Sequence, residues 1–131
     1  MSIELSVLVW SVVLGFVHII VASQAKALQL GYRWTASARD DERPALTGVA
    51  GRLDRAASNY VETFPFFATL VLVAQGVHIH NALTVWGSFL YLGGRVLYLP
   101  LYAFGVYLIR SLVWNVAALG IFLFLFALLR P

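Results

Sequence analysis

Four apolar runs, each close to the length of a membrane-crossing helix and joined by polar connections, govern what this chain can fold into. A helix needs about 20 residues to cross a hydrocarbon core of about 30 Å. The first, third and fourth runs meet that length outright. The second is apolar from Tyr60 to Val77, and its helix is expected to start earlier, between Thr47 and Arg52. The expected spans are about 3–22, 50–77, 82–101 and 108–129. Of 131 residues, 61% are hydrophobic and 11% charged, and the mean hydropathy is +0.84. A soluble domain this small cannot hide so much apolar surface, so the bilayer is its solvent. A β-barrel would need short alternating strands, and these runs do not alternate. The expected fold is an all-α membrane protein, a four-transmembrane-helix bundle forming a single domain over residues 1–131.

The connections differ in character. Between Gln24 and Asp54 lies a polar loop with Lys26, Arg33, Arg39, Arg43, Arg52 and Arg55 in or near it, the acidic run Asp40-Asp41-Glu42, and Pro44 as a break before the second helix. His78-Ile-His80-Asn81 reads as a tight turn, and Tyr102 to Ile109 joins the last two spans with Gly105 as its bend. The excess of arginine puts the long loop, and with it the third connection, in the cytoplasm. Both termini and the His78–Asn81 turn then fall on the other side, and a multi-pass protein of a bacterial inner membrane is expected. The N-terminus lacks the basic start of a signal peptide, so the first span reads as retained. Gly87, Gly93 and Gly94 on the third span, and Ala117, Ala118 and Gly120 on the fourth, should allow close helix approach. Pro65 and Pro100 should kink their helices.

Composition excludes several functions. The net charge is +3 and the pI about 9.6, but the basic residues sit beside spans, where they report topology, and no basic domain stands apart to bind nucleic acid. Without cysteine there is no disulfide and no thiolate metal site. His18 lies within the first span, while His78 and His80 lie in a turn far from it in sequence, so no metal or haem site is expected.

Polar residues intrude on the apolar runs in a pattern. On a helix, Arg52, Arg55, Asn59 and Glu62 fall within an arc of about 80°. Arg95, Tyr98 and Tyr102 repeat the spacing of Arg55, Asn59 and Glu62 on the third span, and Arg110 and Ser111 open the fourth at the same level. Charges at membrane depth cost about 2.5–3.5 kcal/mol each or more and face a partner or a water-filled cavity. Pairing of Glu62 with Arg55 or Arg95, or arginines reaching for headgroups, would account for single members. The whole set carries about three more positive than negative charges, which asks for an anionic guest: arginines for carboxylates, glutamate for an ammonium group, tyrosine and asparagine for amides.

Arg55-Ala-Ala-Ser-Asn59-Tyr-Val-Glu62-Thr-Phe-Pro65 resembles the signature of the membrane-associated proteins in eicosanoid and glutathione metabolism, the MAPEG superfamily. Arg95-Val-Leu-Tyr98-Leu-Pro-Leu-Tyr102 is similar to that family's third-helix motif, and Arg110-Ser111 to the start of its fourth helix. Thr63 stands where several members have tyrosine, and Lys26 where the first helix ends in an arginine pair. The resemblance implies a homotrimer with glutathione bound between subunits near the cytosolic face. It implies Arg55, Asn59, Glu62, Arg95, Tyr98, Tyr102 and Lys26 as residues that hold glutathione. It further implies Arg110, with Ser111 beside it, as the catalytic group that stabilises the thiolate. A free thiol, titrating near about 8.5, is only a few per cent ionised at neutral pH, and a guanidinium in a dry site that lowers this by ~2 units supplies about 2.7 kcal/mol. The reading that follows is a glutathione-dependent transferase or peroxidase acting on lipophilic small molecules that arrive through the bilayer. The alternatives are a proton-coupled transporter using Glu62 and a non-catalytic membrane trimer.

Overall fold

Ser2 opens the first helix by accepting the Leu5 N–H on its hydroxyl at 3.2 Å. In the computed structural model, which describes residues 1–40 and 45–130, this helix, α1, runs over Ile3–Leu30. It is longer than the expected span because Ala25-Lys26-Ala27-Leu28-Gln29 are all good helix formers. Gly31, at φ 90°, ends it and returns its N–H to the Ala27 carbonyl at 2.9 Å. A single turn, α2 (Tyr32–Ala36), follows. Asp41, Glu42, Arg43 and the break expected at Pro44 lie outside the described residues.

The remaining helices are α3 (Gly48–Gly76), α4 (Ala82–Ala103) and α5 (Ile109–Leu129), and α3 and α4 each continue through their internal proline. Asn81 starts α4 with a capping box: its side chain accepts the N–H groups of Leu83 and Thr84 while the Thr84 hydroxyl accepts its own N–H. At the other end, Gly105 (φ 68°) makes the expected bend, and Leu108 (φ 67°) completes a tight reversal in which the Ile109 N–H bonds the Tyr107 carbonyl at 2.8 Å. That reversal starts α5 directly beside the end of α4.

Among the described residues every regular element is helical, and three helices, α1, α3 and α5, are long and apolar enough to cross a membrane. The fourth expected span, α4, is 22 residues long, but Arg95, three tyrosines and paired glycines dilute its apolar character. It tolerates them because Tyr91, Gly94, Arg95 and Tyr98 are buried against neighbouring helices instead of facing outward. α4 lies along α5, α1 lies along α3, and α3 touches both α4 and α5. Phe67 is the hub of the core, with its ring stacked 4.0 Å from Tyr91 and set edge-on 5.8 Å from Phe124.

Two ends can be distinguished. At the end away from the long loop, Glu4 is buried and receives the Thr84 hydroxyl at 2.5 Å and His80 Nδ1 at 2.7 Å, tying the start of α1 to the start of α4. At the loop end, Gln29 holds Thr47 through its side chain, and Arg52 donates from Nε to the Ala103 carbonyl at 2.9 Å, closing the C-terminus of α4.

The close approach of α4 and α5 rests on Gly87, Gly94 and Gly120. A Cβ on Gly94 would lie 2.9 Å from the Val113 carbonyl oxygen, and one on Gly87 would lie 2.8 Å from that of Gly120. Gly93, expected to share this role, is exposed and has no atom within 4 Å of where its Cβ would be. Gly94→Ala should therefore cost about 1–3 kcal/mol through overpacking, whereas Gly93→Ala should be neutral or slightly stabilising. Thermal unfolding of the two variants in detergent checks this, and equal melting temperatures would contradict the assigned contact.

Candidate functional site

The polar stripe of α3 divides when its neighbours are in place. Residues seven apart on a helix sit nearly one above the other, so Arg52 and Asn59 form one edge of the arc and Arg55 and Glu62 the other. α4 lies against the first edge. Arg52 is used in capping α4, while Asn59 points between α4 and α5, where its Oδ1 accepts Arg95 Nη1 at 2.7 Å and Trp114 Nε1 at 3.0 Å.

Arg95 is 1% exposed. Its guanidinium carbon lies 4.5 Å from the centre of the Tyr98 ring and 5.1 Å from that of Tyr60. Tyr60 is in turn stacked 4.6 Å from His18 and gives its hydroxyl to the Ser11 carbonyl. Burying a guanidinium costs several kcal/mol after relaxation. One charge-assisted hydrogen bond and two ring faces, each ring worth about 0.5–2 kcal/mol, offset only part of that. Nε and Nη2 of Arg95 are buried without a hydrogen-bond partner among the described residues. His18 bonds the Leu14 carbonyl through Nδ1 and does not meet His78 or His80.

Above this layer, nearer the loop end, Tyr102 is held between two cations. Arg55 Nε donates to its hydroxyl at 3.1 Å, and the Arg110 guanidinium carbon sits 4.7 Å from its ring centre. Between the two layers opens a polar cavity of about 320 Å³ lined by Asn59, Tyr98, Arg110, Ser111, Trp114 and Asn115. An apolar groove of about 230 Å³ adjoins it, sharing Trp114 and bounded further in by Thr63, Tyr91, Arg95 and Ile121.

The structure thus brings Asn59, Tyr98, Arg110 and Ser111 to one cavity and places Arg55 and Tyr102 at its rim through their contacts with each other and Arg110. Arg95 is behind Asn59, at the apolar groove. Two expected members stand apart. Lys26 is paired with Asp54 at 3.1 Å across α1 and α3. Glu62 is exposed on the outer face of α3 with no hydrogen bond or ion pair among the described residues. Trp114 and Asn115 were not among the residues expected from the sequence. Their signal was their spacing, four residues beyond Arg110 and Ser111 and so on the same face of the helix.

Every group lining the polar cavity can donate a hydrogen bond, and the only charge among them is positive. Such a cavity suits an anion with carbonyl acceptors. Asn59→Ala should destabilise the protein by about 2–6 kcal/mol, because it strands two donors, one buried and one half-buried, at about 1–3 kcal/mol each. Lys26→Ala, breaking a partly exposed pair, should cost under about 1 kcal/mol. Denaturation in a single detergent would expose any failure of that ranking.

The likeness of the chain to known proteins is confined to one comparison. Neither a curated protein nor a solved structure matches it. The sequence model of the MAPEG family matches residues 7–130, nearly the whole chain, and so takes in every helix that builds the cavity. Together with three helices suited to crossing a membrane, that match makes this an integral membrane protein that belongs to the MAPEG family, among the membrane-associated proteins of eicosanoid and glutathione metabolism.

Proposed function

We propose that the protein is a glutathione-dependent membrane enzyme of the transferase or peroxidase type, and that it conjugates or reduces lipophilic electrophiles. In this reading all four long helices span the membrane and the loop end faces the cytoplasm, in a bacterial inner membrane. Three copies assemble with glutathione bound at their boundaries. The observation that carries the proposal is the adjoining pair of cavities: one all-donor and cationic, the other apolar, with a common wall. A polar cavity of about 320 Å³ is within the range of small-molecule sites, about 300–1,000 Å³.

The residues present fit such a guest in most respects. Arg55 and the Asn59 amide would hold a carboxylate and a backbone carbonyl of the tripeptide, and Tyr98 and Tyr102 would direct it. Arg110 would face the sulfur, holding negative charge on it while the thiol proton passes to water. Among the described residues no carboxylate or imidazole lines the cavity to serve as a base, and with a guanidinium present none is required. Ser111 would donate to the same sulfur. The C–S bond then forms as the sulfur lone pair meets an electrophilic carbon presented from the groove, and the displaced electron pair goes to the leaving group.

Glu62 is the member that a single chain does not accommodate. A bare carboxylate on a lipid-facing helix surface is costly, and a second protomer laid against that face would supply its partner, in keeping with a trimer. That Glu62 makes no hydrogen bond or ion pair among the described residues also favours a second reading, a proton-coupled transporter using this carboxylate.

Calorimetric titration of the purified protein with glutathione should show binding, and separate glutamate, cysteine and glycine should show none. In Arg110→Ala the ultraviolet thiolate absorbance at neutral pH should fall to the few per cent expected of a free thiol, returning only as pH rises towards about 8.5, while binding weakens much less. Unaltered absorbance in that variant would remove Arg110 from the chemistry. Proton-coupled efflux in proteoliposomes, abolished by Glu62→Gln, would replace the enzymatic reading with the transporter. A well-formed trimer that binds no thiol would leave a scaffold.

A further inference from the structure

Asn59 presents an amide whose orientation is decided by its neighbours. Arg95 Nη1 and Trp114 Nε1 both converge on Oδ1, at 2.7 and 3.0 Å. Guanidinium and indole N–H groups can only donate, so the oxygen must face them and the NH₂ group must face the other way. Both acceptor positions of the oxygen are then occupied. Asn59 lines the polar cavity, and no partner among the described residues takes its NH₂, which is left to serve the contents of that cavity as a pair of donors.

The two clamping residues are not equivalent. Arg95 is fully enclosed and held between two tyrosine rings, and it does not line the polar cavity. Trp114 is half-buried and lines both the polar cavity and the apolar groove. Its indole is the wall between them, and its single polar atom is spent on Asn59. With Arg95 alone, the amide could swing about one hydrogen bond. With Trp114 added, its plane is set.

We infer that Trp114 is a positioning residue for the thiol substrate: its indole N–H, with Arg95, locks the Asn59 amide so that its two donors point into the polar cavity. This deepens the proposed function and rests on it. Trp114 acts through Asn59, so removing its N–H affects how tightly the tripeptide is held, and leaves the charge that Arg110 offers the sulfur as it was.

Glutathione binding measured by calorimetry on the full-length protein in detergent tests this. Trp114→Phe keeps an aromatic wall and deletes the donor. It should raise the glutathione dissociation constant about three- to tenfold, the scale of one lost hydrogen bond. The thiolate absorbance per bound glutathione should not change, because Arg110 keeps its place beside the sulfur. Trp114→Tyr also lacks the indole N–H and should give the same rise, so the test survives if one variant folds poorly. In an Asn59→Ala background, Trp114→Phe should add no further loss, as expected for two residues acting as one unit. An unchanged dissociation constant in both tryptophan variants, or a full additional loss in the Asn59→Ala background, overturns the assignment while leaving the enzymatic reading intact. Failure of the folded wild-type protein to bind glutathione overturns both.

Discussion

A guanidinium buried among the apolar helices of a membrane protein is the constraint from which the rest of this architecture can be followed. Arg95 cannot leave its place without exposing the inner face of α4, and cannot stay there bare. Asn59 supplies a hydrogen bond, Tyr60 and Tyr98 supply ring faces, and α3 and α4 are thereby held to a single relative depth. Polar contacts between helices are worth little individually in a membrane, about 0.6 kcal/mol on average. This one matters more because the alternative for Arg95 is an unpaired charge in hydrocarbon, which no rearrangement of apolar side chains can relieve.

The same constraint separates the packed core of the molecule from the polar cavity. On the core side of Arg95, Phe67, Tyr91 and Phe124 interlock, and the glycines of α4 and α5 bring two backbones into contact. On the loop side, arginine and tyrosine alternate through Tyr98, Tyr102, Arg55 and Arg110, with ring faces between the cations. Interleaving aromatic rings lets several positive charges share a small volume while their donors stay open towards the cavity. The far end has its own anchor in Glu4, His80 and Thr84.

Much of the candidate site was legible in the sequence because polar residues in an apolar run are conspicuous and helical periodicity says which of them share a face. Asn59, Tyr98, Arg110 and Ser111 were expected together and do line one cavity. Lys26 and Glu62 were expected with them and are elsewhere. Lys26 lies on a stretch of α1 that extends beyond the apolar run and meets Asp54 first. Glu62 lies on the edge of the α3 arc that α4 leaves uncovered. Periodicity places residues on a face some 80° wide, and a neighbouring helix covers only part of such a face. Gly93 failed to join Gly87 and Gly94 for a related reason: it is one residue, about 100°, away from the contact line.

From the sequence alone followed the solvent, the helical class, the positions of the helices to within a few residues at most of their ends, and the family-like motifs. All of these depend on local composition and on spacing along one chain. Only the tertiary structure decided which side of each helix was covered, that Asn59 accepts from Arg95 and Trp114 together, that α4 is sheltered enough to carry a charge, and that a polar cavity and an apolar groove share an indole wall. Those features depend on the rotation of each helix about its own axis, which no single segment encodes and which the mutual burial of several segments sets.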